Sequence, residues 1–204
     1  TKNSNVAKLK DSNIYPKVKS ILTKYKKNNL FVVGVSGGPD SLALTALANA
    51  VAEEKKYKFF FAMVDHGIRK NSGKEALQVK KLLCRHGINL EILRNRKKIT
   101  NNIQRKARDV RYQLLEGFCK KKKAKSLLVG HHQDDQIETF LIRLSRGSGV
   151  EGLSSMQEIT TLKNGINLIR PLLEFKKAQL SYIAKKTFGK IFKDPSNKNR
   201  KFLR

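Results

Sequence analysis

Gly34-Val-Ser-Gly-Gly-Pro-Asp-Ser41 carries the strongest chemical signal in the chain. An apolar run precedes it and helix formers follow, so it joins a strand to a helix. Its adjacent glycines, Gly37 and Gly38, let backbone N–H groups turn toward a bound anion, and the helix start adds partial positive charge. Ser36 and Ser41 add hydroxyl donors on either side of Pro39. The segment lacks the Lys of G-x-x-x-x-G-K-[ST] and does not fit G-x-G-x-x-G, so neither the usual nucleotide P-loop nor a dinucleotide site is indicated. Asp40 is the odd member. A carboxylate beside phosphates repels them unless a cation intervenes, which implies Mg²⁺ bridging Asp40 and the phosphates. Taken alone, the segment is also compatible with a plain strand-to-helix turn.

A second constellation is His131, His132, Asp134, Asp135 and Glu138. His131 and Asp135 are four apart, as are Asp134 and Glu138, so each pair shares a helix face if the helix begins early enough. A Mg²⁺ site, or groups that bind a nucleotide and orient an attacking group, would use these types. Capping of a helix start by carboxylates explains one or two acids but not two adjacent histidines. Zinc is disfavoured, because the usual ligand spacing is missing. Asp65-His66-Gly67 ends another apolar run, and Gly67 permits a close turn there. Arg105, Arg108 and Arg111 recur every three residues with Tyr112 beside them, a row that can grip phosphates or simply face solvent. Gly147, Gly149 and Gly152 follow Arg146 as a loop or a lid. Cys84 and Cys119 read as small packed hydrophobes.

The elements that must position these groups alternate along the chain. Strands are expected over Leu30–Ser36, Phe59–Val64, Ile88–Leu93, Ser126–Gly130 and Ile166–Leu173, with a last short one over Lys190–Lys193. Helices are expected over Ser41–Glu54, Gly73–His86, Asn102–Lys123, Asp134–Arg146 and Lys176–Phe188, and a short one over Tyr15–Lys26. Such alternation implies right-handed βαβ units and a parallel sheet covered on both faces, a Rossmann-like α/β fold. Ligands in such sheets sit outside the carboxyl ends of the strands. That rule gathers Ser36–Ser41, Asp65–Arg69 and His131–Asp135 on one rim. Residues 1–29 form a helical segment ahead of a domain over 30–204.

Charge narrows the partners. Lys and Arg number 44 against 16 Asp and Glu, a net +28, which attracts polyanions such as nucleic acid. No apolar run reaches the roughly 18 residues of a membrane span, and the polar start is no signal peptide. Two cysteines build no disulfide framework, which fits a reducing compartment and a cytoplasmic location.

At Ser36-Gly-Gly-Pro-Asp-Ser41 the chain resembles the N-type ATP pyrophosphatases, the PP-loop superfamily with its adenine nucleotide alpha hydrolase-like fold. The remaining motifs resemble the tRNA(Ile)-lysidine synthetase family. They are Asp65-His-Gly-Ile-Arg69 with Ser72, Arg108-Asp-Val-Arg-Tyr112, His131-His-Gln-Asp-Asp-Gln-Ile-Glu-Thr139, Arg146-Gly-Ser-Gly-Val-Glu-Gly-Leu153 with Met156, Arg170-Pro-Leu-Leu173 and Asp194-Pro-Ser-Asn197. The resemblance implies ATP-dependent ligation of L-lysine to C2 of the wobble cytidine of an isoleucine tRNA with a CAU anticodon, releasing pyrophosphate and AMP. It implies nucleotide binding by Ser36, Gly37, Gly38, Pro39, Asp40, Ser41, Asp65, His66 and Gly67, and Mg²⁺ held by Asp40 and Asp135. It gives catalytic roles to Asp40, Arg108, His131, Asp134 and Asp135, and tRNA contacts to Arg105, Arg111 and Arg146. A homodimer stays open. Family members usually continue into a linker and C-terminal domains, whereas this chain stops at Arg204. A thiolase of the same superfamily and a non-catalytic RNA-binding domain are the competing readings.

Overall fold

A computed structural model of the chain describes residues 9–10, 12–69, 71–96, 99–145, 147, 156–190 and 192. The elements run α1 (Ile14–Tyr25), β1 (Leu30–Val35), α2 (Pro39–Glu54), β2 (Lys58–Asp65), α3 (Ser72–Arg85), β3 (Leu90–Arg94), α4 (Ile103–Lys121), β4 (Ser126–Leu128), α5 (Gln133–Ser145), β5 (Ile159–Thr161), β6 (Asn167–Ile169) and α6 (Lys177–Phe188). They build one sheet in the order β3-β2-β1-β4-β6-β5. Every pairing is parallel except β5 with β6. Strand order therefore reverses between β1 and β4, the place where doubly wound sheets open a crevice beyond their strand ends.

The pleat explains the two cores. Along β1, Phe31, Val33 and Val35 point to one face while Val32 points to the other, and Leu128 and Leu127 divide likewise in β4. Helices α1, α2, α3 and α6 cover the first face, and α4 covers the second through Leu115, Phe118 and Cys119. Helix α2 is apolar nearly all round, with ten buried residues, because it is wedged between the sheet and α6. Among the described helices, none is long and apolar enough to cross a membrane.

Element bounds shift by a residue or two in several places, and some differences from expectation go further. Lys190 and Phe192 lie in no strand, and their neighbours 191 and 193 fall outside the described residues. The stretch expected as Ile166–Leu173 is a strand only over its first part, because Pro171 cannot donate to a ladder. Strand β5 was not expected: it is three residues long, and Thr160 and Thr161 are exposed. Its hairpin with β6 turns at Asn164-Gly165, where Gly165 takes φ 78°. Helix α1 packs Ile14, Tyr15, Val18, Ile21 and Leu22 into the same core as α2.

That packing is testable. Leu22 is fully buried, so Leu22→Ala is expected to cost about 2–5 kcal/mol. In urea the variant should lose stability in a single cooperative transition. A transition identical to that of the native chain would contradict this packing.

Candidate active site

Three strand ends supply the site. Beyond β1, Gly38 caps α2 in extended geometry with no side-chain cap, and Pro39 takes the first turn. The first N–H groups of a helix have no intrahelical partner, so this end is open to an anion. Ser41 Oγ holds the loop closed: it accepts from the Ser36 N–H at 3.1 Å, lies 3.0 Å from Ser36 Oγ and donates to Gly38 O at 3.0 Å. Gly37 has φ +86°, and a Cβ there would stand 2.8 Å from Val79 Cγ2, so two independent constraints demand glycine.

Beyond β4, the chain presses against the same helix start. A Cβ on Gly130 would come within 3.1 Å of the Asp40 carbonyl and the Ser41 nitrogen. Two residues on, buried His132 bridges to Leu172 and projects its ring between two acids. Its Nε2 lies 3.4 Å from Asp40 Oδ2 and 3.6 Å from Asp135 Oδ2. Its Nδ1 accepts the Asp134 N–H at 3.2 Å, and its own backbone N–H donates to Asp135 Oδ2 at 2.9 Å. Burial opposes protonation of His132, but the contact with Asp40 and the charges of Asp135, Asp40 and Asp134 outweigh it and lift its pKa above 6.5.

Beyond β2, Asp65 Oδ1 accepts the Gly67 N–H at 3.1 Å, and Gly67 takes φ 65°. Here lies a different cluster. Arg108 and Arg111 of α4 sit 5.4 and 5.3 Å from the Tyr112 ring centre. Burial, together with the charges of Arg111, Arg170, Arg108 and His132, drives the His131 pKa down to about 3. Burial and then Arg111 lower that of His66. Both rings are therefore neutral. His66 Nδ1, His131 Nδ1, Arg111 Nε, Tyr112 OH and Arg170 Nε are shielded from solvent and make no hydrogen bond within the described residues. Unpaired buried polar atoms are costly, so such a group suits a polar, anionic ligand.

The sequence-based expectations divide accordingly. Ser36 through Ser41 and Asp135 meet around one crevice, and Asp65, His66, Arg108 and Arg111 stand on its rim. His131 does not share a face with Asp135, because α5 starts only at Gln133. The imidazole between the acids belongs to His132, and His131 faces the arginines instead. Asp134 is exposed, and Arg105 lies about 9 Å along α4 from Arg111 on its exposed first turn. Arg146 falls outside the described residues. Arg170, quoted only as part of a motif, proves to be a buried cation whose Nη1 donates to Gln157 O and Thr160 Oγ1 at 2.8 and 3.0 Å. Its position at the end of β6 was the available signal.

A divalent cation fits this site. Asp40 Oδ1 is buried without a partner, and the donors are hard carboxylate oxygens. A Mg²⁺ ion uses one or two carboxylates and takes its other ligands from phosphates and water, and Asp40 with Asp135 would supply the carboxylates here.

The two neighbouring histidines should titrate in opposite senses. Folding holds His131 neutral, so its contribution to stability is present above 6.5 and fades as pH falls toward about 3. His132 contributes below 6.5 and loses that contribution as pH rises through its raised folded value. In NMR spectra the His131 ring signals are expected to stay constant from about pH 8 to about pH 5. His131→Gln should reduce the loss of stability on acidification, and an unchanged profile would refute the arginine-enclosed placement.

Comparison with known proteins places the whole arrangement. The family model of the PP-loop domain matches residues 10–204. A tRNA(Ile)-lysidine synthase of Wolbachia pipientis wMel is 44% identical over 180 residues, covering 87% of this chain and 42% of that protein. One from Bradyrhizobium diazoefficiens is 38% identical, covering 91% of this chain and 52% of that protein. The chain thus spans about half or less of these relatives. Among solved structures, the U34-tRNA thiolase NcsA from Methanococcus maripaludis with its [4Fe-4S] cluster superposes with a TM-score of 0.74 at 22% identity, over 89% of this chain and 65% of that one. The NH3-dependent NAD synthetase from Campylobacter jejuni gives 0.52 at 15% identity, over 91% and 72%. At these identities the structural likeness concerns the fold. With the sheet order, the phosphate-binding turn and the family match in agreement, the chain belongs to the PP-loop domain family.

Proposed function

We propose that the chain is the catalytic part of an ATP-dependent ligase that joins L-lysine to C2 of the wobble cytidine of an isoleucine tRNA with a CAU anticodon. The observation that carries this reading is the meeting of Asp40 and Asp135 at the phosphate-binding turn, in a chain whose relatives are named tRNA(Ile)-lysidine synthase. The cytidine O2 attacks the α-phosphorus of ATP and pyrophosphate leaves; the lysine amine then displaces AMP from the activated carbon.

The residues divide the labour. The open N–H groups of Asp40 and Ser41 at the helix start would hold the phosphates, with the Ser36–Ser41 hydroxyl contact keeping the turn in shape. Asp40 and Asp135 would hold Mg²⁺, which neutralises charge building on the leaving pyrophosphate. Arg108, Arg111 and Arg170 make the neighbouring cluster cationic, and neutral His131 and His66 offer hydrogen bonds to a polar base edge. Free lysine has a side-chain pKa near 10.4, so its ammonium must give up a proton before attack. Asp134 and Glu138, exposed and one turn apart on α5, are the carboxylates we assign to accept it. Arg105, on the projecting start of α4, faces solvent where tRNA phosphates would pass. The thiolase reading gains no support from the cysteines. Cys84 is exposed on α3, whereas Cys119 is buried on α4, across the sheet, its thiol pushed up to about 12 by burial.

Three outcomes are expected. With ATP, Mg²⁺, lysine and a CAU-anticodon transcript, the tRNA should gain the mass of lysine minus water; a sulfur donor supporting AMP release in place of lysine would refute the assignment. Asp40→Asn should slow AMP formation by roughly 100-fold or more with the circular dichroism spectrum intact. Affinity for tRNA should fall steeply between about 50 and 200 mM salt, each neutralised duplex phosphate contributing a slope near −0.9.

A further inference from the structure

His132 has no assigned part in the reaction above, yet it touches both acids of the site. Its backbone and its ring are both held. The backbone bridges to Leu172, the Asp134 N–H occupies Nδ1 at 3.2 Å, and the backbone N–H is bound to Asp135 at 2.9 Å. The absence of a side chain at Gly130 lets the whole segment lie against Asp40. With Nδ1 engaged as an acceptor, the ring proton resides on Nε2, which is where the carboxylates of Asp40 and Asp135 converge at 3.4 and 3.6 Å. Neither nitrogen then keeps a lone pair for a metal.

We propose that His132 is a positioning residue: its Nε2–H stands between Asp40 and Asp135 and sets the spacing of the two carboxylates for one hard divalent cation. This rests on the cation site of the proposed function. Two carboxylates brought together without a cation repel each other and would swing apart. A ring N–H lying 3.4 and 3.6 Å from the two carboxylates offsets part of that repulsion, and it does so without competing as a ligand. Asp40 rides on α2 and Asp135 on α5, so the ring also ties the phosphate-binding helix to the helix that follows β4.

The test is a titration with Mn²⁺, followed by electron paramagnetic resonance, on the chain bound to a non-hydrolysable ATP analogue. His132→Leu removes the donor and should weaken Mn²⁺ binding by about 10- to 100-fold, as loss of partners that orient metal ligands commonly does. His132→Gln retains an N–H and should restore most of that affinity, which a merely space-filling role would not predict. Equal affinity in the native and Leu proteins, or an equal loss in Leu and Gln, overturns the proposal. Should the Leu protein fail to fold, ¹⁵N spectra of the native imidazole in alkaline buffer decide. The Nε2–H tautomer must persist when Mg²⁺ is added, and conversion to a metal-bound nitrogen refutes the idea. Mn²⁺ binding that obeys these expectations while the tRNA gains no lysine would refute the proposed reaction and leave this positioning role standing.

Discussion

Contact between two backbones governs this molecule. Where the chain leaves β4, Gly130 lies against the carbonyl of Asp40 at the start of α2, so close that a Cβ there would stand only 3.1 Å away. The strand-order reversal between β1 and β4 opens a crevice, and this contact closes its floor. With the two loops in contact, His132 reaches Asp40, and Asp135 turns back to accept the His132 backbone N–H. A side chain at 130 would press on that backbone, and the two loops would have to part by a few tenths of an ångström.

The crevice carries two electrostatic regions of opposite character. Around His132 the side chains are acidic and call for a cation. Around His131 they are cationic and call for an anion or a polar base edge. Adjacent residues face these two regions because the backbone is extended at the strand end, where successive side chains point to opposite sides. The paired histidines are thus two separate instruments, one protonated more readily than free imidazole and one hardly at all. A substrate that presents phosphates to one region and a nucleobase to the other would be oriented by both.

Much of this was legible in the residues. Long helices and the central strands announced themselves through apolar runs and their periods, and the turn after β1 through its glycines and Asp40. Shorter features were not legible. Strand β5 owes its existence to pairing with β6, a tertiary fact, although Asn164-Gly165 marked its turn. The exchange of roles between His131 and His132 hinged on whether α5 begins two residues earlier, a boundary that sequence patterns do not fix. Arg170 looked like an ordinary cation, because burial at a strand end follows only once the sheet order is known.

Helix α5 has no buried residue, and Ile137, Phe140, Leu141 and Leu144 lie exposed along one stripe. Its first turn is anchored: Asp135 accepts the His132 backbone N–H, and the Gln136 amide exchanges two hydrogen bonds with the Met156 backbone at 2.9 and 2.6 Å. That anchored end lies beside the crevice, so a ligand bound there would act on α5 through the turn that Asp135 and Gln136 hold, while the apolar stripe farther along the helix stays at the surface.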